Sequence, residues 1–196
     1  MKILRKTFVV AGCILAVFVG FVLFTALRQE LQLSCRPNCA GADLSKVSLY
    51  RPYPLGDPEM AMLSISMRDV DFHEADFSQT NLHGVMVRHC DFRQADFHQA
   101  NLHQTDFAWS YLENADFRDA YMFKVNLHSA DLRGADLRNA DLSQAFMTEA
   151  NLAGADLTGA DLTGANLTNI HYDDTTKWPE GFNSERVGAI LSQNGK

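Results

Sequence analysis

Residues Ala150 to Asn169 read ANLAGADLTGADLTGANLTN, and the same five-residue phrase governs the middle of the chain. Counting every fifth residue from Phe72 to Tyr172 gives 21 positions, of which 17 are Leu or Phe and the others are Val87, Met122, Met147 and Tyr172. Two residues before each stands Ala, Ser, Thr, Cys or Val in 20 of the 21 cases, Ile170 being the exception. One residue before stands Asp or Asn in 16. The register holds without a slip from residue 70 to residue 172.

A period of five excludes the two regular solutions. On an α-helix five residues advance about 500°, a net rotation of about 140°, which scatters the large apolar side chains around the whole circumference. In a flat strand an odd period turns successive leucines to opposite faces. The chain therefore turns once per pentad. Within a pentad the small residue and the Leu or Phe are two apart, so both point to the same side, and stacked turns bury them as one continuous interior.

This motif of a small residue, Asp or Asn, Leu or Phe, a polar residue and often Gly resembles the pentapeptide-repeat family over Val70 to Tyr172. The resemblance implies an all-β fold, a right-handed quadrilateral parallel β-helix with four pentads per coil. Twenty-one pentads then make about five coils, each rising by roughly the 4.8 Å spacing of neighbouring strands. It also sorts outward residues into columns spaced by 20. Asp76, Asp96, Asp116, Asp136 and Asp156 form one acidic column, with Arg118 and Arg138 two residues beyond two of them. Such carboxylates either present a charged ladder or bond to turn amides.

On the opposite side Met86 and Phe146 replace the usual Asp or Asn, Tyr121 and Phe123 flank Met122 on an adjoining side, and Trp109 sits at a corner beside Tyr111. Outward aromatics depart from the repeat's own rule. They form a candidate partner surface, or else a loop or terminal segment folds over them. All seven histidines (His73, His83, His89, His98, His103, His128 and His171) fall inside the repeat. His83 and His103 share a column, but without a third ligand they read as polar surface residues, so no metal or cofactor is expected.

The flanks differ in character. From Thr7 to Leu27 no residue is charged, and these 21 residues span about 31 Å as a helix, enough to cross a bilayer. Lys2, Arg5 and Lys6 precede the run, so the positive-inside rule places residues 1–6 in the cytoplasm and everything beyond Arg28 across the membrane. Cleavage as a signal peptide is the competing reading, to which Phe24-Thr25-Ala26 is a poor match. Val10-Ala11-Gly12-Cys13 resembles a lipoprotein processing site, but the apolar run before it is too short. In the polar segment that follows, Cys35 and Cys39 form a candidate disulfide if an oxidising compartment receives them; the alternative is two free thiols. Residues 28–64 make a linker and N-terminal cap with two early pentads, ADLSK and VSLYR, interrupted by PYPLGDPEM. Residues 65–172 make the β-helix. Residues 173–196 make a short C-terminal cap, in which Trp178 and Phe182 close the apolar end and Ser184 to Leu191 adds a short helix or meets a second copy to form a homodimer.

The chain's net charge of −7 is unevenly placed: residues 65–172 carry 7 basic and 16 acidic side chains. That disfavours direct nucleic-acid binding, which relies on clustered Lys and Arg. No catalytic constellation is present, so an enzyme is not expected. The leading expectation is a single-pass protein of the bacterial inner membrane, its repeat domain periplasmic, acting as a non-catalytic binding or scaffold module for a protein partner. The family resemblance supplies the alternative, an acidic rod that mimics DNA and binds DNA gyrase, giving quinolone resistance. The expected topology opposes it, because gyrase is cytoplasmic.

Overall fold

The structure, a computed structural model, describes residues 39–45, 66–184 and 189–191. The expected membrane helix at 7–27, Cys35 and the second early pentad at 47–51 lie outside these residues. Among the described residues no helix is long and apolar enough to cross a membrane.

The repeat winds as four pentads per coil. Asp76 bridges in parallel to Asp96, Asp96 to Asp116, Asp116 to Asp136 and Asp136 to Asp156, and three other columns repeat the 20-residue step. Regular strands are correspondingly short. Strand β1 (Ser66–Arg68) pairs in parallel with β2 (Met86–Arg88), and β3 (His171–Tyr172) with β4 (Ile190–Leu191). We name the four sides by their central residues: face A holds Phe77, Phe97, Phe117, Leu137 and Leu157; face B holds Leu82, Leu102, Met122, Leu142 and Leu162. Face C holds Val87, Phe107, Leu127, Met147 and Leu167, and face D holds Phe72, Phe92, Leu112, Leu132 and Leu152.

One pentad shows why the motif has its composition. The amides of Phe97 and Gln99 donate to the carbonyls of Asp116 and Arg118 in the next coil, that of Asp96 donates to Ala75 in the previous one, and that of Ala100 closes the turn onto Phe97. The amide of residue 98 has no carbonyl to meet, and the Asp96 carboxylate accepts it at 2.8 Å. The same bond recurs at all 16 Asp or Asn positions of the repeat. It satisfies the one amide that the coil geometry leaves over.

At each of the 21 corners from 69 to 169 the backbone is left-handed, with φ between 52° and 75°, yet only five of these corners are glycine. A left-handed L-residue costs roughly 1–2 kcal/mol. Burial and the inter-coil ladder offset that cost. Inside, Phe77, Phe97 and Phe117 stack with centroids 5.0 and 4.9 Å apart, and Phe107 meets Phe92, Phe97 and Phe117 edge-on. Ala, Val and Cys90 fill the gaps beside them, all buried. Inward hydroxyls bond to carbonyls, Thr105 to Leu82 and Ser110 to Val87, each at 2.8 Å. Side chains also stack outside: the His83 and His103 rings lie 4.4 Å apart on face B.

The two ends correct the sequence reading in detail. Leu44 donates its amide to Asp76 and Asp43 bridges Asp76, so residues 42–45 of the first early pentad lie beneath face A, ahead of the main array. Cys39, expected in a polar segment, is instead buried at the central position of a pentad beneath face D, its amide on the Asp71 carbonyl. Cys39 is disulfide-bonded. At the other end Asp156 bridges Lys177, a step of 21. Trp178 there stacks on Phe182 at 4.9 Å and meets Tyr172 edge-on. The expected helix over 184–191 gives way at Ile190–Leu191 to strand β4. The edge of β3 offers unpaired backbone groups, and the Ile190 amide takes the Ile170 carbonyl.

Two outcomes follow for stability. Phe97→Ala opens a cavity in the middle of the ring stack and lowers unfolding free energy by about 3–5 kcal/mol, read as a fall in the urea midpoint; a change within error contradicts the stacked interior. Burial, then the charge of His103, holds His83 below its ordinary 6.5. The folded chain thus takes that proton less readily than the unfolded one, so the stability tied to neutral His83 is complete above pH 6.5 and declines as pH falls below it. His83→Asn flattens the loss of melting temperature between about pH 7.5 and 5.5; an unchanged slope contradicts the assignment.

Candidate functional site

The Asp-to-amide bond gives a criterion for unusual surface positions. At Tyr111, Tyr121 and Phe146 the residue before the central one cannot accept the leftover amide, so about 0.5–1.5 kcal/mol of hydrogen bonding is forgone at each; at Met86 the pairing of β2 with β1 replaces the side-chain acceptor. Tyr111, Tyr121 and Phe146 are 54%, 44% and 51% exposed, so burial does not compensate. Trp109 differs: its pentad keeps the turn bond, Asp106 accepting the Ala108 amide, but a large aromatic side chain stands at the corner. It occupies a left-handed corner with φ 59° and is 42% exposed. For a bulky aromatic this conformation is an outlier, and strain of this kind gathers at functional positions.

The structure sorts these residues into two ring clusters. On face B, His103 stacks between His83 at 4.4 Å and Tyr121 at 5.6 Å and tilts against Phe123 at 5.3 Å. The Lys124 ammonium lies 5.1 Å from the Phe123 ring centre. At the corner between faces C and D, Trp109 lies parallel to His89 at 5.2 Å and edge-on to His128 at 5.3 Å, with the Arg88 guanidinium 5.9 Å from its ring centre. Arg88 is itself anchored: its Nε and Nη2 donate to Asp106, which also accepts from Asn126. A rigid, amphipathic Trp edge results. Tyr111 and Phe146 join neither cluster among the described residues, and Met86 is half-buried on face C.

The sequence reading placed His83 and His103 in one column but took them as polar surface residues, and it did not single out His89, His128 or Arg88. The available signal was the 20-residue column, which places His89 beneath Trp109 and His83 and His103 beneath Phe123.

The acidic column is present on face A, but each carboxylate is held. Asp76, Asp96, Asp116, Asp136 and Asp156 accept the amides of residues 78, 98, 118, 138 and 158. Arg118 bridges Asp116 and Asp136, Arg138 pairs with Asp136 and Lys177 with Asp156. Partial burial pulls Asp116 upward, but the Arg118 side chain and amide outweigh it and leave the carboxyl below its usual range. At Asp156 burial is likewise overcome, by the Thr158 hydroxyl and Lys177, and the carboxyl falls to about 2. Among the described residues no group of three His, Cys, Asp or Glu side chains could hold a metal ion. The free thiol of Cys90 is buried and pushed up to about 11 by that burial, far from the thiolate form that reacts.

The family model "Pentapeptide repeats (8 copies)" matches residues 65–104, 100–139 and 130–169. The chain is similar to a pentapeptide repeat protein, Rfr23, from the cyanobacterium Cyanothece 51142, at 26% identity over 75% of this chain and 95% of that one, with a TM-score of 0.43. It is similar to HetL from the cyanobacterium Nostoc sp. strain PCC 7120, involved in heterocyst differentiation regulation, at 22% identity over 78% and 80%, with a TM-score of 0.38. QnrB1, a plasmid-mediated fluoroquinolone resistance protein, is 17% identical over 76% and 91%, with a TM-score of 0.38. No curated protein matches the sequence. With more than half its length matched by the family model and a coil step of 20 residues throughout the repeat, the chain belongs to the pentapeptide repeat family.

Proposed function

We propose that this protein is a non-catalytic binding or scaffold module whose rigid β-helix presents aromatic edges to a protein partner. The observation that carries the reading is the exposed, left-handed Trp109, flanked by His89, Arg88 and His128. Trp, Tyr and Arg side chains held on a rigid surface lose little entropy on association and dominate interface energies. Tyr121 and Phe123 offer a second aromatic edge on face B, and Tyr111 on face D and Met86 and Phe146 on face C are further candidate contacts.

The sequence supports an extracytoplasmic, membrane-tethered placement: an uncharged span at 7–27 after three basic residues, in a bacterial inner membrane with the repeat domain in the periplasm. The disulfide at Cys39 is in keeping with an oxidising compartment, with Cys35 as the proposed partner. Exposed Ile190 and Leu191 on β4 suit a homodimer contact at the C-terminal end. The alternative, a gyrase-binding DNA mimic, draws on the excess of acidic residues in 65–172. The engagement of the acidic column by turn amides, Arg118, Arg138 and Lys177 weighs against it.

Replacing Trp109, Tyr121 and Phe146 together with Ser reduces capture of the partner from solubilised membranes at least tenfold while the melting temperature stays within a few degrees; undiminished capture contradicts the surface. A fusion after Lys196 separates the two placements: active alkaline phosphatase supports the periplasmic scaffold, whereas fluorescence from a reporter that matures only in the cytoplasm supports the mimic.

A further inference from the structure

The aromatic edge on face B is built partly from groups that change charge. His83 and His103 stack at 4.4 Å, and His103 in turn meets Tyr121 at 5.6 Å and Phe123 at 5.3 Å. Tyr121 and Phe123 lie parallel to each other, 6.4 Å apart. Tyr121 is exposed and the other three rings are half-buried, so the four make one surface cluster in which His103 touches every other member. The interior stack of Phe77 on Phe97 is neutral at any pH. This one contains two imidazoles, which gain a proton near neutrality.

The surroundings supply little negative charge to offset those protons. The positions before the central residue are Asn81 and Asn101 here, where face A has Asp76 and Asp96. The corner between faces B and C holds Gly84, Gln104 and Lys124, and the Lys124 ammonium lies 5.1 Å from the Phe123 ring centre. The corner between faces A and B holds Gln79, Gln99 and Asp119. The Asp119 carboxylate lies 3.8 Å from the His98 ring and accepts from the Asn139 amide. Burial and then the charge of His103 hold His83 below its ordinary 6.5, the direction expected of a ring whose charged form is opposed.

Two neutral imidazoles stack, and one imidazolium lies against a neutral ring as other cations lie against aromatic faces. Two imidazoliums 4.4 Å apart repel each other, with the Lys124 charge at the far side of the cluster adding to the opposition. The rings then part, and His103 leaves Tyr121 and Phe123. Leu82, Leu102 and Met122 stay buried beneath them, so the coil itself is untouched. We infer that the face B edge is assembled at neutral pH and taken apart by acid, the joint protonation of His83 and His103 opening the stack that positions Tyr121 and Phe123. The inference rests on the reading of those two side chains as a partner surface and adds its regulation. The Trp109 edge is the internal control: His89 and His128 each lie against the indole, where a protonated ring is accommodated.

The test is nuclear Overhauser contacts between ring protons of the full-length protein in detergent, at about pH 7.5 and about pH 5, with circular dichroism reporting the coil. The contacts of His103 with His83 and with Tyr121 are expected to fall at least fivefold in acid, while that of His89 with Trp109 persists. His103→Phe keeps a ring that cannot charge, so its contact with Tyr121 survives acid. His83→Asn leaves a single imidazolium in the stack and likewise preserves the contact of His103 with Tyr121, which reads the same point if His103→Phe fails to fold. The inference is overturned if the native contacts persist in acid, if the contact of His89 with Trp109 falls with them, or if the variants lose their Tyr121 contacts as the native chain does. None of these readouts needs a partner: an edge that captures nothing refutes the surface, and only the ring contacts judge its assembly by pH.

Discussion

The rod depends on a left-handed corner at every fifth residue. Each corner turns the chain by about a quarter of a circuit, which brings residue i+20 into register over residue i and lets nearly all amides find carbonyls in a neighbouring coil. Only the amide after the central residue is left over, and the preceding Asp or Asn takes it. The composition of the motif follows from this single bend: a small residue where the interior narrows, a large apolar one where it must be filled, and an acceptor where the backbone lacks one. Glycine eases the corner at Gly84, but most corners are held left-handed by burial and by the ladder on either side.

That division explains which parts of the molecule were legible in the chain. The central residues from Phe72 to Leu157 are all buried, as a two-residue spacing between small and large partners requires, and burial becomes partial at Leu162 and Tyr172 in the last coil, where Trp178 and Phe182 pack against the core's end. Cys39 was legible as a disulfide candidate but not as an inward residue, because no other pentad has cysteine at its centre and its polar neighbours resemble a linker. Strand β4 escaped because the apolar spacing in SERVGAIL suits a helix, and only the unpaired edge of β3 favours an extended chain there. The stacking of His89 on Trp109 and of His83 on His103 depends on ring orientation, which no one-dimensional pattern contains.

The same regularity gives the surface its meaning. Because 16 of the 21 positions before the central residue carry Asp or Asn, a tyrosine or phenylalanine there forgoes a bond that the fold otherwise makes. Trp109 adds backbone strain to exposure, while Arg88, Asp106 and Asn126 hold its surroundings in place. The acidic residues behave in the opposite way. Their carboxylates close turns and pair with arginines, so much of the negative charge of the repeat serves the coil itself.

The 20-residue coil is most directly tested by cross-linking. Gln79 and Gln99 occupy the same corner of successive coils, with Nε2 of one 3.5 Å from Oε1 of the other, and a separation near the strand spacing of about 4.8 Å lies inside the window for a disulfide. Cysteines introduced together at 79 and 99 are expected to join quantitatively on mild oxidation, whereas cysteines at 79 and 94, on adjacent corners, stay reduced. Efficient bonding of the 79 and 94 pair with none between 79 and 99 would contradict the four-sided coil.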